Sequence, residues 1–314
     1  MELLLALIDR QGFATRAEAL DLGVTDKVLT AERRAERLTR FRHGTYTRTS
    51  RWRALDAEGR HLLRLRAVIH RLGGEAVASH VSAALLHGLP VWGVPLDRVH
   101  LTRVDDVPGR RQADVTHHVG RLDPGDVVEA GGVPCVGPTR AAIETGILGT
   151  PATFLPTADA LLHAGFATRA DLGRTWVAME RWPDRHKLSV AVRLADGAAE
   201  SVGESRLRWI LWGQGLPTPV LQHEVVDPDS DFRAYCDLAW PEHGVVLEFD
   251  GLVKYGRLLR PGQSVADVLV AEKRREDRIR ELTGWTVIRV VWADLEHPTA
   301  LVARVRRALG LAAA

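Results

Sequence analysis

Asp237, Glu248 and Asp250 are the residues of this 314-residue chain whose types and spacing could do chemistry. They lie in AYCDLAWPEHGVVLEFDG, two apolar runs joined by a turn. With Glu242 and His243 at the centre of that turn, Pro241 faces Gly244, and the same register sets Asp237 opposite Glu248. Residues paired in this way point to one face, and Asp250, two positions beyond Glu248, shares it. Like charges facing each other with Cβ atoms about 5 Å apart destabilise a sheet unless a cation lies between them. An all-oxygen donor set suits Mg²⁺, or Mn²⁺ in its place, so Asp237, Glu248 and Asp250 are expected as metal ligands. The run VVLEF is nearly continuous in apolar residues, which predicts a strand buried on both faces. An acid interrupting such a strand needs a reason.

The flanking segments would position these acids. Upstream, GESRLRWIL reads as a helix carrying Glu204; downstream, the basic loop KYGRLLRPGQ, with Lys254, leads to a helix in AEKRREDRIRELTGW and a strand in TVIRVVW. This order of helix, strand, strand, helix and strand resembles the PD-(D/E)XK nuclease core. Over about Ala199 to Leu309 it is most similar to the Vsr-like endonuclease domain, through GESRLR, EFDGLVKYGRLLRPGQ and EKRREDRIRELTGWTVIRVVWADL. The resemblance implies that Asp237 and Glu248 hold the metal, that Glu204 is a supporting acid, and that the reaction is phosphodiester hydrolysis. Asp250 stands where the general pattern has lysine, the residue that orients the attacking water and offsets transition-state charge. Lys254 or Lys273 could bring an ammonium from another backbone position, or Asp250 could join the metal shell.

Composition bounds the remaining possibilities. A chain of this length holds two or three domains, and 46% hydrophobic with 26% charged residues is the composition of an ordinary globular protein. The two cysteines, Cys135 and Cys236, are far apart in the sequence and support neither a zinc knuckle nor a disulfide framework, so buried thiols are expected. The opening MELLLALIDRQG lacks a basic leader and a cleavage site, and no apolar run approaches membrane-spanning length, so a cytoplasmic protein is expected. The histidines are dispersed, and the His117-His118 pair reads as surface residues.

The formal charge of +2 says little, but its distribution is uneven: Thr25 to Arg53 carries nine Lys/Arg against three acids. Within the first seventy residues, Thr15 and Glu18 form a capping box, Leu22-Gly23-Val24 makes a turn, and Thr25 caps a third helix. Next, LTRFRHGTYTR gives two short strands hinged at His43-Gly44. Helix, turn, basic helix and hairpin is the order of a winged helix-turn-helix, in which the second helix of the motif enters the major groove. Arg33, Arg34 and Arg37 are then candidates for groove contacts, with Thr25 and Lys27 near the helix start, while Arg40, Arg42 and Arg48 are candidates for phosphate contacts.

From Gly73 to Ala195 the pattern is mixed: SHVSAALLHG predicts a helix ending at Gly88, RVHLTR a strand, and GVPCVGPTRAAIETG a strand entering a helix. No catalytic constellation stands out there. GFATRAEAL and GFATRADLG echo each other, but a Thr cap followed by an acid three residues later explains both without duplication. Through GFATRAEALDLGVT, RFRHGTYTR, VASHVSAALLHGLP and VGPTRAAIETG, roughly Leu3 to Thr168 resembles AbiEi-type antitoxins of type IV toxin–antitoxin systems. That resemblance implies a DNA-binding autorepressor that counters a nucleotidyltransferase toxin. A nuclease-like segment behind such a module departs from the simple antitoxin.

The expectation is therefore a multidomain α/β (α+β) protein. A winged helix-turn-helix would span residues 1–72 and a mixed α/β domain 73–195, followed by a restriction-endonuclease-like mixed sheet flanked by helices over 196–314. Its expected partners are DNA, a cognate toxin and a second copy of itself, with no membrane. The leading expectation for function is Mg²⁺-dependent DNA cleavage, and the alternative is non-catalytic repression or antitoxin action.

Overall fold

The computed structural model describes residues 1–104, 111–112, 114–251 and 265–312. They form a mixed α/β protein with fourteen α-helices and sheets of three, four and six strands among the described residues. The chain divides into two compact units, one of Met1–Gly149 with Arg174–Arg185, the other of Thr150–Gly173 with His186–Ala314.

The first unit begins with α1 (Glu2–Gln11), β1 (Ala14–Thr15), α2 (Arg16–Asp21) and α3 (Asp26–Arg34), followed by β2 (Leu38–Arg42) and β3 (Thr45–Arg48). Leu4 and Ile8, one turn apart on α1, pack with Ala19, Val24, Leu29, Leu38 and Tyr46. Gly12 ends α1 at φ 95°, a left-handed value that glycine adopts at little strain, and its N–H donates to the Ile8 carbonyl. The expected capping box is present: Thr15 Oγ1 accepts from the Glu18 N–H, and Glu18 accepts from the Thr15 N–H at 2.7 Å. Thr25 is the N-cap residue of α3 as expected, but its side chain makes no capping bond. The β2–β3 turn falls at His43-Gly44, and the three antiparallel strands take the order β1-β3-β2.

After α4 (Thr49–Ala54) and α5 (Ala57–Leu72) come β4 (Ala76–Ala78), α6 (His80–Leu86), β5 (Val99–Arg103), β6 (Arg111–Gln112), β7 (Val115–His118), β8 (Val127–Ala130), β9 (Val133–Val136) and α7 (Pro138–Leu148). The six strands form one mixed sheet in the order β6-β7-β5-β4-β9-β8, with β5/β7 and β4/β9 parallel. The predicted helix at SHVSAALLHG and the strands at RVHLTR and GVPCV are α6, β5 and β9.

The second unit carries α8 (Pro151–His163). The chain then passes between the units within α9 (Arg169–Ala178) and returns to the second unit at α10 (Ser189–Leu194) and α11 (Val202–Gly213). Its sheet, β10 (Val220–Val226), β11 (Arg233–Trp240), β12 (Val245–Asp250) and β13 (Thr286–Val291), runs in the order β10-β11-β12-β13, and only β12/β13 is parallel. That parallel pair is joined through α12 (Val265–Thr283), and the chain closes with α13 (Trp292–Leu295) and α14 (Pro298–Ala308). Val245, Leu247 and Phe249 pack with residues of α11, α13 and α14, whereas Val246 packs with Ile279 of α12. Strand β12 is therefore buried on both faces, as the VVLEF run predicts. Among the described residues no helix is long and apolar enough to cross a membrane.

Candidate functional site

The period of two along β12 puts Glu248 and Asp250 on the face covered by α12, together with Val246. The β11/β12 register is the expected one, from Trp240↔Val245 to Leu238↔Leu247, but the ladder ends one residue short of Asp237 and Glu248. The reason lies in β11. Ala234 and Cys236 pack into the α12-side cluster, while Leu238 and Trp240 pack into the opposite one, so the alternation breaks at Asp237. The β10/β11 ladder also passes over this point, pairing Leu221 with Leu238 and His223 with Cys236, and Gln222 between them takes φ 46°. An irregularity of this kind re-aims a side chain. Asp237 Oδ2 accepts a 2.7 Å hydrogen bond from the Phe249 N–H, taking the place of a strand-to-strand bond.

Cations are already present at the acids, and they are guanidinium groups. Arg275 of α12 donates to Glu248 Oε2 at 2.6 Å, to Glu272 at 3.1 Å and to the Tyr235 carbonyl at 3.1 Å. Arg289, beside Glu248 in the parallel β12/β13 register, bonds Glu276 at 2.5 Å and lies 3.3 Å from both Asp250 and Glu272. The electrostatic demand read from the facing acids is thus met by two arginines that sequence reasoning did not select. Burial pushes the Glu248 carboxyl above its ordinary range, and Arg275 opposes that shift. Glu248 Oε1 is buried and has no hydrogen-bond partner of ordinary geometry. The Cys236 thiol beside this carboxylate is pushed up to about 12, first by burial and then by the Glu248 charge.

Glu204 is engaged at the start of its own helix. It accepts from Ser201 Oγ at 2.7 Å and from the Glu200 N–H at 3.0 Å, and Gln222 approaches it at 3.5 Å. Lys273 is exposed on α12, whose inward positions are Glu272, Arg275, Glu276 and Ile279. Lys254 lies outside the described residues. Both cysteines are buried thiols, as expected.

Gly203, next to Glu204, fits closely against β12. A Cβ there would lie 1.9 Å from the Phe249 ring, which packs edge-on against Trp292 at 5.1 Å. Gly203→Ala is expected to lower stability by about 1–3 kcal/mol through overpacking, read from urea unfolding. An unchanged midpoint would mean that the ring yields freely.

The basic residues at the N-terminal end divide into two sets. On α3 only Leu29 is buried, so Lys27, Arg33 and Arg34 project from an exposed helix, with Thr25 exposed at its start and Arg40 exposed on β2. Arg37 is exposed but bonds Glu32 through two contacts of 2.6 Å. Arg48 pairs with Asp9 at 2.5 Å, and Arg42 is held 2.6 Å from Asp114 with its side chain only 8% exposed. The first set is open to a ligand, whereas Arg42 is committed to the protein's own fold.

Histidines were a second omission. His118 does not stand apart on the surface: its Nε2 lies 2.9 Å from His100 Nδ1, and its ring stacks on His80 with centroids 3.6 Å apart. The sequence signal was weak but present, because His100 and His118 are polar interruptions in the short β-prone runs VHLTR and VTHH.

The fold and this site define a mixed α/β chain with a carboxylate–arginine cluster on one sheet and an exposed basic helix in the other unit. No family model matches the chain. Two relatives from Mycobacterium tuberculosis are similar to it: uncharacterized protein MT2308 of strain CDC 1551 / Oshkosh and uncharacterized protein Rv2248 of strain ATCC 25618 / H37Rv. Each is 29% identical over 251 residues, covering 78% of this chain and 86% of the relative. Among solved structures, the crystal structure of the RV2827C protein from Mycobacterium tuberculosis is similar at 16% identity and a TM-score of 0.40, over 73% of this chain and 89% of that one.

Proposed function

We propose that this chain is a DNA-binding protein whose second unit hydrolyses phosphodiester bonds with Mg²⁺ at Asp237, Glu248 and Asp250, Mn²⁺ being able to substitute. The observation that carries this reading is Oε1 of Glu248, buried and without a hydrogen-bond partner of ordinary geometry, on the same strand as Asp250 and beside the break in β11 at Asp237. An oxygen donor in that state suits a hard divalent ion, but the oxygens of the three acids do not all lie within 4.8 Å of one another, so binding requires them to close on the ion as Arg275 and Arg289 swing away. The bound metal supplies Lewis-acid polarisation of a phosphoryl oxygen and a water of lowered pKa. Arg275 and Arg289 bring the positive charge that the missing lysine would have supplied, and they offset charge developing on the phosphoryl group. Glu204 acts by holding the start of α11, where Gly203 packs on Phe249.

In this reading the first three helices and the β2–β3 hairpin are a winged helix-turn-helix, with α3 as the recognition helix. Its exposed Lys27, Arg33 and Arg34 support that role. The resemblances to AbiEi-type antitoxins and Vsr-like endonucleases agree with the two activities and suggest a setting in genome defence or toxin–antitoxin control. Arg33→Ala with Arg34→Ala is expected to weaken duplex binding 10-fold to 100-fold, and to lower the slope of log affinity against log salt by about 1 for each phosphate that is no longer neutralised. Unchanged affinity and slope would remove α3 as the reading helix.

One observation favours the second reading, a non-catalytic autorepressor or antitoxin facing a nucleotidyltransferase toxin. Glu248 and Asp250 already have arginine partners, as in a structural ion-pair network. Supercoiled plasmid incubated with the protein separates the two readings. Nicking that needs Mg²⁺ and stops in EDTA supports the nuclease, and salt-sensitive binding without nicking supports the repressor.

A further inference from the structure

We propose that His80, His100 and His118 form a binding site for a borderline divalent cation of the Zn²⁺ class, separate from the Mg²⁺ site. One ligand atom from each residue lies within 4.8 Å of the other two, and no other group of His, Cys, Asp or Glu among the described residues meets that condition. Three different elements build the site. In the parallel β5/β7 register His100 pairs with Thr116 and His118 with Thr102, so the two histidines are diagonal neighbours on one face of the sheet. Ser79, just beyond β4, donates its N–H to the His100 carbonyl at 3.1 Å, which places His80 at the start of α6 over that face.

The surroundings are those of metal-binding imidazoles. His80 Nδ1 lies 3.3 Å from Glu144 Oε2 and 3.0 Å from Ser79 Oγ, and in the tautomer with the proton on Nδ1 these partners would leave Nε2 for the ligand. Glu144 is fully buried on α7 and is held at 2.8 Å by Arg140, one turn earlier on the same helix, while Arg140 also bonds Asp126 at 2.6 Å. The burial of Glu144 is offset by Arg140 and the His80 N–H, which leave it fixed beside the His80 ring. It also accepts the His80 backbone N–H at 2.9 Å and so holds that residue at φ 52°, a strained left-handed conformation for histidine. The His100 backbone is fixed through its N–H, which donates to Ser82 Oγ at 2.8 Å, and Ser82 is in turn bonded to His61 Nε2 at 2.8 Å.

The nitrogens of His100 and His118 are 2.9 Å apart, whereas two tetrahedral zinc ligands at the usual metal–nitrogen distance would lie about 3.3 Å apart. Entry of the ion therefore requires a separation of a few tenths of an ångström and rotation of the stacked rings of His80 and His118. Three imidazoles select zinc, cobalt or nickel over Mg²⁺, which prefers oxygen. They leave a fourth position for water or a small ligand.

The test is titration of chelator-stripped full-length protein with Co²⁺, followed by calorimetry and visible absorption. With excess Mg²⁺ present throughout to fill the proposed carboxylate site, one Co²⁺ per chain is expected, with d–d bands of nitrogen ligation. His100→Ala and His118→Ala should weaken binding at least 100-fold. Glu144→Gln, which keeps all three ligands, should weaken it 10-fold to 100-fold. Asp237→Asn should bind Co²⁺ as the wild type does. Wild-type protein labelled at histidine makes the test independent of whether the variants fold: Zn²⁺ should shift three of the thirteen imidazole resonance sets. Absence of stoichiometric Co²⁺ binding by the wild type, histidine resonances unmoved by Zn²⁺, or full affinity in folded His100→Ala and His118→Ala would each overturn the proposal.

Discussion

Asp237→Asn is expected to abolish the proposed Mg²⁺-dependent cleavage, lowering the rate at least about 10³-fold, while the proposed duplex binding by the first unit should stay at the wild-type level. The substitution removes one charge from the proposed donor set but keeps an amide oxygen that can still accept from the Phe249 N–H, so the local backbone arrangement should survive. That retention distinguishes catalysis from folding. Asp237→Ala also removes the acceptor for Phe249 and would report both effects together. Single-turnover cleavage of labelled DNA, run beside fluorescence-anisotropy binding in EDTA, gives both quantities for each protein. Equal loss of binding and cutting in Asp237→Asn would show that the residue serves the fold.

Arg275→Ala is expected to destabilise the second unit by about 3–5 kcal/mol, because it leaves a buried carboxylate without its partner. Glu248 is the residue exposed to this effect: its side chain is 10% accessible, Arg275 is its 2.6 Å partner, and its other oxygen has no hydrogen-bond partner of ordinary geometry. The same guanidinium also holds Glu272 and the Tyr235 carbonyl, so α12, β11 and β12 loosen together. Arg275→Met combined with Glu248→Gln should recover most of the loss, since the penalty comes from the stranded charge and not from the missing side-chain packing. Chemical unfolding followed by tryptophan fluorescence measures both proteins. A double variant no more stable than Arg275→Ala would locate the effect in packing by the arginine stem.

The hairpin that carries the acids was legible because its information is local. Pro241 through Gly244 fix the turn, the turn fixes Leu238 opposite Leu247, and VVLEF announces burial on both faces. Capping by Thr15 and the hinge at Gly44 were readable for the same reason. The break at Asp237 was not, since it depends on which cluster each neighbouring side chain enters. Nor were the arginine partners. Arg289 meets Glu248 only through a parallel crossover, and Arg275 faces inward while Lys273 and Arg274 face water according to how α12 rolls on the sheet. The three histidines converge from α6, β5 and β7, elements whose adjacency no short pattern encodes. Charge clustering in Thr25 to Arg53 was visible, yet Arg42 faces Asp114, seventy-two positions away, which only the tertiary structure reveals.

The central claim, that the acids of β11 and β12 form a Mg²⁺-dependent phosphodiesterase site, is tested most directly by supercoiled plasmid and labelled single strands. These are incubated with wild-type protein in Mg²⁺, Mn²⁺ or EDTA, beside the Asp237→Asn/Glu248→Gln double variant. The account predicts cleavage by the wild type in either metal, none in EDTA and none by the double variant while it remains folded. Cleavage that persists in the folded double variant, or a wild-type protein that binds DNA in a salt-sensitive way and never cuts it, would contradict it.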